Sequence, residues 1–436
     1  MNKLLSQLDS AVRYRIETEF NLPSTVQSTG FNLENEGPST PLTAFILENE
    51  LTDDDITWLM LALAPHVQPE FITRVISEYL PNGGEFPEFG GTKAKNHRGM
   101  IPTGETGLYI LAGTNTTERI ARKKFIDTES ELFARRILRI DDVPAGEPKM
   151  SGTLLIDDEY IDLLTTGQIV KPKMTANFPA QLIETSLEWD DLILNDSTLK
   201  QIREIETWLK YHETVMNEWN MKHVFKPGYR VMFYGPPGTG KTLTAGLLGK
   251  YTNRDVYRID LSMVVSKYIG ETEKNLSLLF DKATNKDWIL FFDEADAIFG
   301  KRTNVRDAHD KYANQEVSYL LQRIEAHPGL VILASNFKSN IDSAFTRRFQ
   351  TIIEFELPAY EERLKLWRNN LPQGIGLATD VDLHALSKRY DITGANIVNI
   401  IQYACLQTLE HSHDEIRLEH LVSGIKKEYV KEGKMM

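Results

Sequence analysis

Apolar positions recur at helical spacing in the first part of the chain and as short strand-like runs in the second. Thr52 to Asp55 reads as a helix start, with Thr52 as the cap and Asp55 three residues on. The apolar run Trp58–Ala64 follows and is expected to end, as a buried helix, before Pro65. A second helical pattern covers about Thr117–Ile140, with Arg and Lys on one side and Ile, Leu and Phe on the other. Between them, residues 83–113 hold eight glycines together with Pro87 and Pro102, which is loop material. Residues 141–185 are rich in Pro and Gly and read as connecting chain with one apolar element, Thr153–Ile156. Beyond Thr185 the texture changes. The β-branched or aromatic runs Tyr229–Tyr234, Asp255–Ile259, Trp288–Phe292, Leu330–Ala334 and Thr351–Phe355 alternate with helical patterns. That alternation predicts an α/β fold, a parallel sheet with helices on both faces. After Pro358 the pattern is helical to the end. The expected organisation is a mainly helical region 1–150, a linker 151–185, an α/β core 186–357 and a helical segment 358–436.

Composition narrows the function classes. Lys and Arg number 49 against 62 Asp and Glu, a formal charge of −13. A protein that coats nucleic acid needs a basic surface to neutralise phosphates, so no nucleic-acid partner is expected. Hydrophobic residues at 41% and charged residues at 25% exclude wholesale disorder. With Cys405 as the single cysteine, neither an intrachain disulfide nor a cysteine-based zinc site can form. Lys3, Asp9 and Arg13 in the first turns are unlike a signal peptide. The longest apolar runs fall far short of the ~18 residues a membrane helix needs. A cytoplasmic protein without membrane insertion is expected.

The strongest chemical signal is Gly235-Pro236-Pro237-Gly238-Thr239-Gly240-Lys241-Thr242, set between the strand Tyr229–Tyr234 and a helical run that opens at Leu243. Glycines let successive backbone N–H groups turn inward around phosphates, and the helix N-terminus adds partial positive charge. Lys241 would reach the β- and γ-phosphates, and the Thr242 hydroxyl would sit on Mg²⁺. By contrast, Gly90-Gly91-Thr92-Lys93 only echoes such a loop, because no apolar strand leads into it. Asp293 and Glu294 end the all-apolar strand Trp288–Phe292, where a carboxylate pair suits metal binding by Asp293 and polarisation of a water by Glu294. Asn336 follows the strand Leu330–Ala334, and its amide can both donate and accept near a γ-phosphate and a water. Arg347 and Arg348, just before the strand Thr351–Phe355, suit an arginine finger. Tyr268-Ile269-Gly270 reads either as a mobile paddle gripping another polypeptide or as a core tyrosine beside a loop.

These motifs, in this order and spacing, resemble the AAA+ ATPases, specifically the branch whose rings thread or remodel proteins. The resemblance covers about 186–425. It implies that 235–242 is the Walker A loop, 291–296 the Walker B segment and Asn336 sensor 1. It likewise places Arg347 and Arg348 at the finger position and Tyr268-Ile269-Gly270 at the pore loop. Asp190-Asp191-Leu192-Ile193 matches the segment whose backbone brackets adenine, so Asp191 and Ile193 are implied nucleotide contacts. Gly394 and Ala395 begin the lid helix, and with Asn396 following them no sensor-2 arginine is expected there. Two positions depart from the pattern: the finger arginines are adjacent rather than separated, and Asn195 stands where a glycine often follows the adenine segment.

A closer resemblance, carried by 262–275, 301–325 and 59–71, is to the AAA+ ATPases of phage-tail-like extracellular contractile injection systems. It implies an N-terminal recruitment domain at 1–150 and a role in assembly, cargo loading or disassembly of the particle. The basic stretch 301–314 would be a second loop facing the pore. Together these readings imply an ATPase with ATP and Mg²⁺, a homo-oligomer (a hexameric ring) and a protein substrate. A nucleotide-switched scaffold and a nucleic-acid-directed loader on the same fold are the alternatives.

Overall fold

The computed structural model describes residues 1–23, 26, 30–31, 40–84, 86–175, 178–260, 271–295, 318–336 and 347–434. The chain divides into two compact units, Met1–Lys171 and Pro172–Met436. Each buries its own apolar core.

The first unit is built on helices α1 (Asn2–Glu19), α2 (Pro41–Glu48), α3 (Asp53–Val67), α4 (Phe71–Tyr79), α5 (Gly104–Ala112), α6 (Thr116–Thr128) and α7 (Glu131–Ala134). Along α1 the buried Leu4, Leu5, Leu8, Val12 and Ile16 follow the helical repeat and form one stripe. Thr52 caps α3 as its sequence predicts: the Asp55 N–H donates to Thr52 Oγ1 at 3.2 Å, and the Thr52 N–H donates to Asp55 Oδ2 at 3.4 Å. Pro65 does not end this helix. It sits in the last turn, where one missing backbone bond is tolerable, and Gln68 N–H still reaches Ala64 O at 2.8 Å. Gly90 and Gly91 take left-handed backbone (φ 71° and 92°) and lead into strand β1 (Thr92–Lys93), which pairs with β2 (Met100–Ile101). They turn the chain rather than cradle a phosphate.

The pattern over Thr117–Ile140 is not one helix. α6 and α7 break at Ser130, and Arg136 at φ 53° turns the chain into strand β3 (Leu138–Ile140). β3 pairs antiparallel with β4 (Leu154–Ile156), so the apolar element inside the expected linker belongs to the first unit. Helix α8 (Asp158–Thr166) follows, with Tyr160 edge-on to Phe45 of α2 at 5.8 Å between ring centroids. The expected linker 151–185 is therefore folded at both ends, because its few apolar residues have partners to bury against. Its far end forms strand β5 (Ala180–Ile183) of the second unit.

That second unit holds a sheet of six strands among the described residues. In chain order they are β5, β6 (Tyr229–Tyr234), β7 (Val256–Asp260), β8 (Ile289–Asp293), β9 (Leu330–Ser335) and β10 (Thr351–Glu354). The spatial order is β10-β6-β9-β8-β7-β5, parallel throughout except for the antiparallel edge strand β5. Strands covered on both faces need apolar residues at successive positions, and this sheet shows it. Ile289 and Phe291 face helices α9 (Asp196–Glu213) and α10 (Lys241–Thr252), packing with Ile202, Ile205, Ala245 and Leu248. Leu290 and Phe292 face the other way, onto Leu276, Leu279 and Phe280 of α11 (Glu271–Lys286) and onto Leu320, Leu321 and Ile324.

The C-terminal part packs α12 (Tyr360–Asn370), α13 (Leu383–Arg389), α14 (Gly394–Glu410) and α15 (Leu418–Lys431) around the buried Trp367, Ile397, Ile400, Ile401, Leu421 and Ile425. The two-residue strands β11 (Gly376–Leu377) and β12 (Glu415–Ile416) pair within it, a small departure from a wholly helical segment. No helix among the described residues is long and apolar enough to cross a membrane.

Candidate functional site

In a parallel sheet the strands all end at one edge, which is where an open α/β fold offers its crevice. Register decides which residues meet there. Tyr234 pairs with Ser335 and Phe292 with Leu333, so the residues just past β6, β8 and β9 emerge side by side. These are Gly235, Glu294 and Asn336.

The loop from β6 to α10 is shaped by three glycines at positive φ: Gly235 at 145°, Gly238 at 77° and Gly240 at 101°. At Gly235 the requirement is also steric, because a Cβ would lie 2.0 Å from Phe355 O. Gly235→Ala is therefore expected to lower the thermal midpoint of the chain and to abolish nucleotide binding, with a backbone cost of at least ~1–3 kcal/mol. Scanning calorimetry that shows an unchanged midpoint would contradict this loop geometry.

Lys241 opens α10 and is 8% exposed. A buried ammonium must spend its protons on acceptors. Its Nζ donates to Gly235 O at 2.6 Å, Pro236 O at 2.9 Å and Asn336 Oδ1 at 3.4 Å. The two carbonyls belong to the loop and Asn336 follows β9, so the charge is held where phosphate oxygens can replace the carbonyls. Thr239 Oγ1 donates to Pro236 O at 2.8 Å, closing the turn.

On β8, Asp293 uses one oxygen to accept from the Glu294 N–H at 3.0 Å and the other to pair with Arg258 at 2.9 Å. Glu294 is exposed and takes φ 52°. Left-handed backbone at a bulky residue is uncommon and costs free energy, and such positions gather at functional sites. The Ala295 N–H then returns to Ala334 O at 2.9 Å, which pins the chain beyond the carboxylates to the neighbouring strand.

A cavity of about 590 Å³ opens over this edge. Its lining includes Asp191, Leu192 and Ile193 on one side, Pro237 to Leu243 below, Asp293, Glu294 and Asn336 beyond, and Gly394 and Ala395 from the start of α14. The Ala395 N–H reaches Gly238 O at 3.3 Å, so the helical segment touches the loop directly. Thr393 caps α14 by accepting from Asn396 N–H at 3.2 Å, and Asn396 in turn donates to the buried Glu428 at 2.9 Å. Asn396 is thus a structural tie between α14 and α15.

Asn195 is explained in the same way. Its Oδ1 accepts the Thr198 N–H at 2.8 Å as the cap of α9, and its Nδ2 donates to Glu356 at 3.1 Å. The Asp191 carboxylate accepts the Glu188 N–H of its own turn at 2.8 Å, and the residue lines the cavity.

The remaining expected residues lie apart from this cavity or outside the described residues. Arg347 and Arg348 are exposed, and Arg348 pairs with Glu325 at 2.9 Å. Neither lines the cavity. Tyr268, Ile269, Gly270 and the stretch 301–314 fall outside the described residues. Conversely, Glu356, Glu362, Leu366, Asn369, Asn370 and Val398 line the cavity without belonging to any motif. Only Glu362 carried a local signal, since it accepts the Ala359 N–H at 2.7 Å as the third residue of α12. Arg258 also escaped notice, because its meeting with Asp293 depends on the pairing of β7 with β8.

Comparison with known proteins agrees with this geometry. Residues 231–357 match the family model described as "ATPase family associated with various cellular activities (AAA)", so the chain contains an AAA ATPase domain. A katanin p60 ATPase-containing protein of Danio rerio is 30% identical over 254 residues, which cover 53% of this chain and 50% of the relative. The proteasome-activating nucleotidase of Methanopyrus kandleri is 30% identical over 248 residues, covering 55% and 56%. The ATPase family gene 2 protein of Schizosaccharomyces pombe is 34% identical over 206 residues, covering 46% and 25%. The chain spans about half the length, or less, of these curated relatives.

Proposed function

We propose that the chain is an ATP-hydrolysing motor that works as a homo-oligomeric ring, hexameric as the family resemblance implies, and remodels or threads a protein substrate. The observation that carries the reading is the convergence of the phosphate-type loop, the Asp293–Glu294 pair and Asn336 on one cavity. Positive-φ glycines leave room for phosphate oxygens, and Lys241 is already aimed into the loop. Thr242 and Asp293 offer hard oxygen donors, the set that Mg²⁺ favours, and both line the cavity. Bound there, Mg²⁺ would neutralise charge on the phosphates. Glu294 would take the proton of the attacking water, and Asn336 would orient that water. Lys241 would hold the phosphates, with the backbone of Asp191 and Ile193 and the residues Gly394 and Ala395 placing the base. A relative named for activating the proteasome supports a protein substrate for this chain too.

The pore-loop assignment rests on the sequence resemblance at Tyr268-Ile269-Gly270. Tyr268→Ala is expected to leave ATP turnover within about twofold while remodelling falls by an order of magnitude or more, because a small side chain grips poorly. Unchanged remodelling would remove Tyr268 from the threading role.

The role with contractile injection particles rests likewise on resemblance at 59–71, 262–275 and 301–325. It is tested by a pull-down from the native host with Glu294→Gln and ATP, read by mass spectrometry, with Lys241→Ala as the non-binding control. Tail sheath, tube, baseplate or cargo proteins recovered only with the trap would support that role. Other proteins recovered in the same way would replace it while keeping the remodelling chemistry.

A further inference from the structure

Three histidines gather where α14 gives way to α15, remote from the chemistry described above. α14 starts at the cavity and ends here, about 24 Å along its axis. The rings of His411, His413 and His420 lie 5.3–5.8 Å apart between centroids. Donor atoms of His413, His420 and Glu419 all fall within 4.8 Å of one another.

The hydrogen bonds fix which nitrogens carry lone pairs. Thr408 Oγ1 spends its proton on Ala404 O at 2.8 Å. It can therefore only accept from His420 Nδ1, 3.1 Å away, which makes that nitrogen the protonated one. In the neutral ring His420 Nε2 then holds a lone pair, and it faces Glu419 Oε1 at 3.8 Å. His411 Nδ1 sits 2.8 Å from Gln407 O, a carbonyl that can only accept, so its Nε2 is likewise unprotonated in the neutral ring. His413 Nδ1 is buried and has no hydrogen-bond partner among the described residues, a costly state for a polar atom unless something coordinates it.

We propose that His413, Glu419 and His420 form a binding site for a divalent transition metal of the zinc class, with the His411 ring beside it. Imidazole nitrogens with one carboxylate are the donor set such ions take, whereas Mg²⁺ and Ca²⁺ favour oxygen alone. One carboxylate against a dication with neutral imidazoles leaves a modest net positive charge. Glu419 is exposed and His413 half-buried, so the ion has a path in and room for a water ligand. Thr408 is the outer partner that sets the His420 tautomer, as hydrogen-bond acceptors behind metal-bound histidines do. The ion would staple the end of α14 to the start of α15.

The test is a titration of the metal-free full-length chain with Co²⁺, followed by Zn²⁺. The expected result is a visible ligand-field band that saturates at one Co²⁺ per chain and is bleached by Zn²⁺. His413→Ala and Glu419→Gln, both at accessible positions, should each weaken Zn²⁺ binding by about tenfold or more with circular dichroism unchanged. Thr408→Val, which touches no metal and keeps the side-chain shape, should weaken it by ~10–100-fold. Absence of the band in the parent chain would overturn the site. So would Zn²⁺ affinity that is the same in His413→Ala as in the parent.

Discussion

Glu294→Gln is expected to lower ATP turnover by ~10²–10⁴-fold while leaving nucleotide bound, because an amide keeps the shape of the carboxylate and cannot take a proton. The position supports this split. Glu294 is exposed at the rim of the cavity, its side chain makes no hydrogen bond or ion pair among the described residues, and it owes its placement to its backbone. That backbone, at φ 52°, is held by the Asp293 carboxylate on one side and by the Ala295 bond to Ala334 on the other. Glutamine can occupy the same conformation, so folding should be unaffected. Phosphate release under single-turnover conditions measures the chemical step, and nucleotide retained through gel filtration measures binding. Undiminished phosphate release would remove Glu294 as the base. A parent chain that binds ATP and releases almost no phosphate would instead favour a nucleotide-switched scaffold.

The parts of the site that could be read from sequence are those whose chemistry is written in contiguous residues. Lys241 and Thr242 follow a glycine pattern that only a phosphate-type turn requires, and the strand before it spans Tyr229–Tyr234 as its β-branched and aromatic run predicts. Asp293 and Glu294 stood out because carboxylates end an apolar strand. What could not be read depends on partners distant in sequence. β5 is four residues long and joins the sheet only because β7 offers it an antiparallel edge. The apolar Leu154 and Ile156 gave no sign that β3 would pair with them. A helical period over Thr117–Ile140 could not reveal that Leu138 and Ile140 are strand residues, since three residues are too few to set a period. Arg258 and Glu356 matter through strand register and loop packing, for which no local pattern exists.

The adjacent arginines present the same difficulty, and here the structure separates two residues that sequence leaves equivalent. Arg348 is engaged with Glu325 at 2.9 Å, whereas Arg347 is exposed and makes no ion pair among the described residues. A finger that acts on a neighbour's nucleotide must be able to leave its own protomer without breaking a contact there. Arg347 meets that condition, and Arg348 is suited to brace it. In the assembled state Arg347→Ala should therefore lower turnover by ~10³–10⁵-fold, the range an arginine finger supplies, and Arg348→Ala by markedly less. The trans character has its own signature. Arg347→Ala protomers keep an intact loop, and Lys241→Ala protomers keep an intact finger. Mixing the two inactive chains should restore activity at interfaces that pair the good half of each, roughly a quarter of those in an equal random mixture of a closed ring. Phosphate release from the mixture, set against each chain alone, measures this directly. If the mixture stays inactive while both variants still assemble, Arg347 does not act across the interface. Should Arg348→Ala prove the more damaging variant, the pair with Glu325 is a resting contact that the ring breaks.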